Sequence, residues 1–130
     1  MKLNQEEIKT ILPHRDPMLL VTSVEELTPG EEIRASFYAD PAREIFPGHF
    51  PGNPVLPGVY TVECLGQAAD LVVMTTERYA GKTPLLIGVR QGALHAQGAP
   101  RRDAGAARPA HPRAGGEGHR HLRRRGVRRR

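Results

Sequence analysis

Apolar positions come in blocks whose spacing changes along the chain. Ile8, Ile11 and Leu12 share one face of a short helix predicted over residues 4–12. Asn4 is placed to cap it, and Glu6 and Glu7 suit its first turn. Pro13 ends that helix, and His14-Arg15-Asp16-Pro17 reads as a turn. Met18-Leu19-Leu20-Val21 is fully apolar, as a short buried strand would be, and Val24 to Leu27 continues it. Thr28-Pro29-Gly30-Glu31 is a strong turn signal. Ile33 to Ala39 partly alternates apolar with polar, which predicts a half-buried antiparallel strand. From Val59 to about Tyr79 apolar residues occupy nearly every side, which predicts a buried helix. Pro57 suits its first turn, and Arg78 with Gly81 marks its end. Leu85-Leu86-Ile87-Gly88-Val89 reads as the start of another buried strand.

Between strand and helix lies a loop rich in turn formers. Pro47, Pro51, Pro54 and Pro57 each fix one φ angle, while Gly48, Gly52 and Gly58 permit unusual ones. The prolines make this a stiff segment rather than a linker. It carries one histidine, His49, and feeds a helix that carries one carboxylic acid in its first turns, Glu63.

Composition changes the picture after residue 89. Residues 1–87 hold seven Lys or Arg against twelve Asp or Glu, a net of −5. Residues 88–130 hold twelve Arg against two acids, a net of +10, and Arg, Gly, Ala, His and Pro make up 35 of those 43 positions. No period of 2 or 3.6 runs through them, so the expectation is a globular part over 1–89 and a disordered tail over 90–130. Arg123-Arg124-Arg125 and Arg128-Arg129-Arg130 would bind phosphates without sequence preference, and no aromatic is present to stack a base. His119 and His121 lack a third metal ligand. Cys64 is the only cysteine, so no internal disulfide is possible. There is no apolar signal core at the N-terminus, and the longest apolar stretch is too short to span a bilayer. The expectation is a soluble, cytoplasmic protein.

An ionised carboxylate on a buried helix is costly unless paired, which makes Glu63 a candidate general acid. Gln67 lies four residues on, on the same helical face, where it could hold that carboxyl in one orientation. His49 is the natural base partner, and backbone N–H groups at the helix start, Gly58 among them, could polarise a carbonyl oxygen. Base, acid and oxyanion donor together suit proton abstraction beside a carbonyl with loss of a β-hydroxyl. The same residues also fit blander roles: His49 as a turn histidine satisfied by backbone, and Glu63 in a salt bridge or nearer solvent. His14 and Arg15 read as turn and surface residues, and Cys64 as a small buried apolar group.

Two separated motifs then coincide in order. Gly48-His49-Phe50-Pro51-Gly52-Asn53-Pro54-Val55-Leu56-Pro57-Gly58-Val59, with Glu63 and Gln67-Ala68-Ala69, resembles the signature of FabZ-type (3R)-hydroxyacyl-[acyl carrier protein] dehydratases. Ile11-Leu12-Pro13-His14-Arg15, with Pro17 and Leu19-Leu20-Val21, resembles the N-terminal motif of that family. The resemblance covers roughly residues 5–89. It implies an α+β hotdog fold, a long central helix wrapped by an antiparallel sheet, here with its C-terminal strands missing. It implies dehydration of an acyl-carrier-bound 3-hydroxyacyl substrate to the trans-2-enoyl form in fatty acid biosynthesis, by homodimers or trimers of dimers. By position, His49 resembles the family's base and Glu63 its acid, facing His49 of the partner subunit, while the Gly58 N–H resembles the thioester oxyanion donor. No metal or cofactor is implied.

Thr22-Ser23 and Asn53 depart from residues frequent in the family. The larger departure follows Val89, where further long strands with a Pro-Gly-Asp turn are expected and arginine-rich sequence stands instead. Arg, Ala, Gly and Pro have the most G/C-rich codons, so the tail reads as a shifted frame after about codon 90. The alternatives to an active dehydratase are an inactive truncated fragment, a thioesterase on the same fold, and a nucleic-acid-binding protein with a basic arm.

Overall fold

The computed structural model of the chain describes residues 1–90, 92–94, 98 and 100. In chain order these form helix α1 (Gln5–Ile11), strands β1 (Ser23–Thr28) and β2 (Glu32–Ser36), the short helix α2 (Ile45–Gly48) and the long helix α3 (Gly58–Met74).

Helix α1 starts as its sequence dictates. The Asn4 side chain accepts from the Glu7 N–H at 3.0 Å, and the Glu7 carboxylate accepts from the Asn4 N–H at 2.8 Å. This reciprocal box satisfies two amides that a helix start leaves without partners. Ile8 and Leu12 then enter the core.

Strands β1 and β2 pair antiparallel, from Ser23 opposite Ser36 to Thr28 opposite Glu32, with an irregularity between Val24 and Glu26. The turn joining them needs a positive φ at Gly30, +77°, and closes with the Glu31 N–H on the Thr28 carbonyl at 3.0 Å. The Gly30 N–H points the other way and donates to the Val72 carbonyl of α3 at 2.9 Å. Val24, Leu27 and Ile33 of the hairpin pack with Ala68, Leu71 and Val72 of α3 in one buried cluster that α1 closes through Ile8. A long helix laid on an antiparallel sheet is the α+β, hotdog-type arrangement, here with two strands among the described residues.

Three local expectations are corrected. Residues 18–21 form no strand, although Leu19, Leu20 and Val21 are buried and only Met18 is exposed, because the Leu20 and Val21 amides are taken by a side chain, Gln67, rather than by a neighbouring strand. Helix α3 stops at Met74 rather than near Tyr79. The Thr75 and Thr76 hydroxyls donate to the Leu71 and Val73 carbonyls, competing with further backbone bonds. Residues 85–89 form no strand and stand exposed, Ile87 at 96%. A strand must satisfy its backbone on a neighbour, and among the described residues none is beside it.

Burial of α3 is likewise one-sided. Gln67, Ala68, Leu71, Val72 and Met74 are buried, whereas Val59 is 72% exposed. The expectation of a helix covered all round assumed neighbours on its second face, and the described residues supply none there.

The expected tail over 90–130 falls largely outside the described residues. Of its described part, Gly98 forms a bridge with Leu56, whose N–H donates to the Gly98 carbonyl at 2.7 Å. The His119–His121 pair and the arginine runs lie outside the described residues.

Candidate active site

The His49 loop is closed by its own backbone. The His49 N–H donates to the Phe46 carbonyl at 3.2 Å, which hangs the loop on α2. Phe50 and Asn53 exchange both N–H···O bonds at 2.9 Å, and the Val55 N–H returns to the His49 carbonyl at 2.8 Å. Gly52 makes the reversal with φ +72°. Proline stiffness is therefore reinforced by a small hydrogen-bonded hairpin.

The imidazole is fixed by the same loop. Its Nδ1 lies 2.8 Å from the Val55 carbonyl oxygen, and the ring stacks on Phe50 with centroids 4.0 Å apart. A carbonyl only accepts, so Nδ1 carries the proton, and in the neutral ring Nε2 is left as the basic nitrogen.

Glu63 and Gln67 sit one turn apart on α3. Gln67 is 1% exposed and uses its whole amide. Its oxygen accepts from the Leu20 N–H at 2.8 Å and faces the Val21 N–H at 3.4 Å. Its nitrogen donates to the Met18 carbonyl at 2.7 Å and to Glu63 Oε1 at 2.8 Å. This arrangement also assigns the amide's oxygen and nitrogen, because Leu20 and Val21 can only donate and Met18 can only accept. Gln67 thus ties the 18–21 segment to the helix and holds the carboxyl, the orienting part expected from the i,i+4 spacing. The Glu63 side chain is 29% exposed rather than buried. Its outer side belongs to the uncovered face of α3.

Gly58 opens α3, after Pro57 as a cap without a side-chain hydrogen bond. Among the described residues its N–H has no acceptor, as the first amides of a helix do not. The Leu94 side chain packs against Gly58 so closely that a Cβ there would collide. No hydrogen bond or ion pair joins His49 to Glu63 among the described residues.

Sequence reasoning missed His14. It is no surface residue: its Nε2 lies 3.5 Å from Glu63 Oε1, its side chain is 21% exposed, and its buried Nδ1 has no partner among the described residues. The one signal that could have found it was its place in the Leu12-Pro13-His14-Arg15 motif.

Neighbouring groups feel the same electrostatics. Burial pushes the Cys64 thiol up to about 11, with the charge of Glu63 adding and Arg43 opposing. Burial also raises the Asp70 carboxyl, against the attraction of His14 and with the repulsion of Glu63. A thiol held protonated is a poor nucleophile, which fits a structural Cys64. Among the described residues no cluster of three His, Cys, Asp or Glu side chains is placed to hold a metal ion, and no helix is long and apolar enough to cross a membrane.

Comparison with known proteins gives this site its context. The FabA-like domain family matches residues 12–96, a stretch that includes His14, His49, Gly58, Glu63 and Gln67. The chain is 52% identical over 83 residues to a 3-hydroxyacyl-[acyl-carrier-protein] dehydratase FabZ of Oenococcus oeni, covering 64% of this chain and 60% of that protein. It is 47% identical over 89 residues to the Enterococcus faecalis protein of the same name, covering 68% and 63%. The Clostridium acetobutylicum protein of that name is 44% identical over 92 residues, covering 69% and 64%. The chain therefore spans somewhat under two thirds of the length of these curated relatives. With a family match across more than half of its residues, the chain belongs to the FabA-like domain family.

Proposed function

We propose that the chain dehydrates (3R)-hydroxyacyl-[acyl carrier protein] to the trans-2-enoyl thioester in fatty acid biosynthesis. His49 Nε2 removes a proton from the carbon beside the thioester carbonyl. The Gly58 N–H, at the positive end of α3, receives the charge that develops on the carbonyl oxygen. Glu63 gives its proton to the β-hydroxyl. The C–O bond breaks and water leaves, while the electron pair of the broken C–H bond becomes the new double bond. Substrate carbon and oxygen account for every electron, so the step calls for no redox cofactor.

The observation that carries this reading is the His49 ring. Donation of Nδ1–H to the Val55 carbonyl leaves one basic nitrogen on a loop that cannot turn away. Gln67 supports the acid role, since it holds one Glu63 oxygen while the other has no partner among the described residues. The names of the relatives supply the substrate class, an acyl chain on acyl carrier protein.

A homodimer, or a trimer of dimers, belongs to the same reading, with Glu63 facing His49 of the partner subunit. It would cover the open face of α3 and exclude water from Glu63. The reading also takes the protein as cytoplasmic and its domain as residues 1–89, with 90–130 outside it. The coding DNA tests that boundary: another frame beyond codon 90 should encode alternating strands with a Pro-Gly-Asp turn.

Enoyl-thioester formation by the purified full chain tests the chemistry. His49→Ala and Glu63→Gln should each lower turnover by roughly 10²- to 10⁴-fold. Equal rates in parent and variants would remove both role assignments. A second reading, an inactive partial domain, draws on the exposed Leu85, Leu86, Ile87 and Val89. Such a surface should aggregate, so a soluble dimer that melts cooperatively counts against it.

A further inference from the structure

We propose that His14 is a positioning residue for Glu63: with Gln67 it brackets one carboxyl oxygen, Oε1, and so reserves Oε2 as the oxygen that carries and delivers the proton. The inference rests on the acid role proposed above for Glu63.

The geometry is asymmetric. Oε1 accepts the Gln67 amide at 2.8 Å and faces His14 Nε2 at 3.5 Å, while Oε2 has no partner among the described residues. At 3.5 Å the histidine contact is electrostatic rather than a full hydrogen bond. It still decides where a proton can sit. An oxygen that faces two N–H groups is a poor place for a third hydrogen, so the carboxylic proton goes to Oε2.

The tautomer of His14 follows from its surroundings. Nδ1 is buried and has no hydrogen-bond partner among the described residues. A proton there would be an orphaned buried donor, and the lone pair left on Nε2 would face the lone pairs of Oε1. A proton on Nε2 avoids both. The ring is delivered to this place by the end of α1, where Leu12 is buried and Pro13 follows.

The other charged groups nearby leave this role to His14. Arg15 is turned toward α1, with its guanidinium on the Leu12, His14 and Lys9 carbonyls. Arg43 is turned toward the Pro17 and Leu19 carbonyls and the Phe37 ring. Asp70 lies two turns beyond Glu63 on α3, and its carboxyl feels both His14 and Glu63. His14 is thus the cation-capable group shared by two carboxyls on one helix face.

Two measurements on the full chain test this. In ¹⁵N-histidine spectra, His14 should be protonated on Nε2 at neutral pH. Its Nε2 resonance should move in Glu63→Gln more than that of any other histidine, because the group it faces has changed. A proton on Nδ1, or an unmoved Nε2 resonance, overturns the proposal. In turnover, His14→Leu should lose roughly tenfold in kcat with KM little changed. His14→Gln, whose amide nitrogen can reach the same position, should recover most of it. If His14→Leu folds and turns over like the parent, positioning is refuted. If the parent forms no enoyl thioester while the His14 Nε2 resonance still moves with Glu63→Gln, the positioning contact stands and the dehydratase reading falls.

Discussion

The loop that carries His49 and the helix face that carries Glu63 are held in opposite ways. His49 is fixed by residues at most six positions away, through Phe46, Asn53 and Val55. Glu63 is fixed by Gln67, and Gln67 by Met18 and Leu20, 49 and 47 positions away. One half of the site is closed by bonds within its own short sequence. The other exists only when the N-terminal segment has docked on α3. Local chemistry can therefore be intact while the acid is still unplaced.

The largest effect expected is on the long-range half. Gln67→Ala strands the Leu20 and Val21 N–H groups in the core, at about 1–3 kcal/mol for each unsatisfied group, and adds a cavity. A total loss of about 3 kcal/mol or more should appear as a lower urea midpoint. If Gln67→Ala unfolds with the parent, the amide is not what ties the two segments together. Gly52→Ala strikes the local half instead. A Cβ at Gly52 would meet nothing within 4 Å, so the cost is that of a positive φ alone, about 1 kcal/mol. The two losses should add within about 0.5 kcal/mol in the double variant, as expected of independent sites. A large coupling would show that loop and helix face are one unit.

The smallest effect concerns pH. The Asp70 carboxyl is raised by burial, so the folded chain holds that proton more tightly than the unfolded chain. Below the ordinary value of 3.8 both states are protonated and Asp70 contributes nothing. As pH rises above it the unfolded chain ionises first, and stability falls until the folded carboxyl ionises too. Asp70→Asn should thus melt slightly higher than the parent at pH 7 and with it at pH 3. A gain at both pH values would assign the effect to something other than ionisation.

This contrast also explains what the sequence could disclose. The Asn4 cap, the Thr28–Glu31 turn and the stiff His49 loop are short-range, and residue types at fixed spacing were enough to read them. The Glu63–Gln67 pair was legible for the same reason, four residues being one helical turn. The partners of Gln67 were not, because an apolar run at 18–21 looks the same whether a strand or a side chain takes its amides. The approach of His14 to Glu63 spans 49 positions and leaves no periodic trace. Residues 85–89 failed for a different reason: an apolar run predicts burial, yet only a neighbour can deliver it.

The Gly30 amide has one more consequence. It lies in an exposed turn, where solvent should exchange its hydrogen within the time of local fluctuation. Its acceptor is not in the turn but at Val72, on the helix behind. Exchange at that one position therefore requires the hairpin to lift from α3, and its rate is a clock for the separation of the two layers. A surface glycine thus reports on the cohesion of the core.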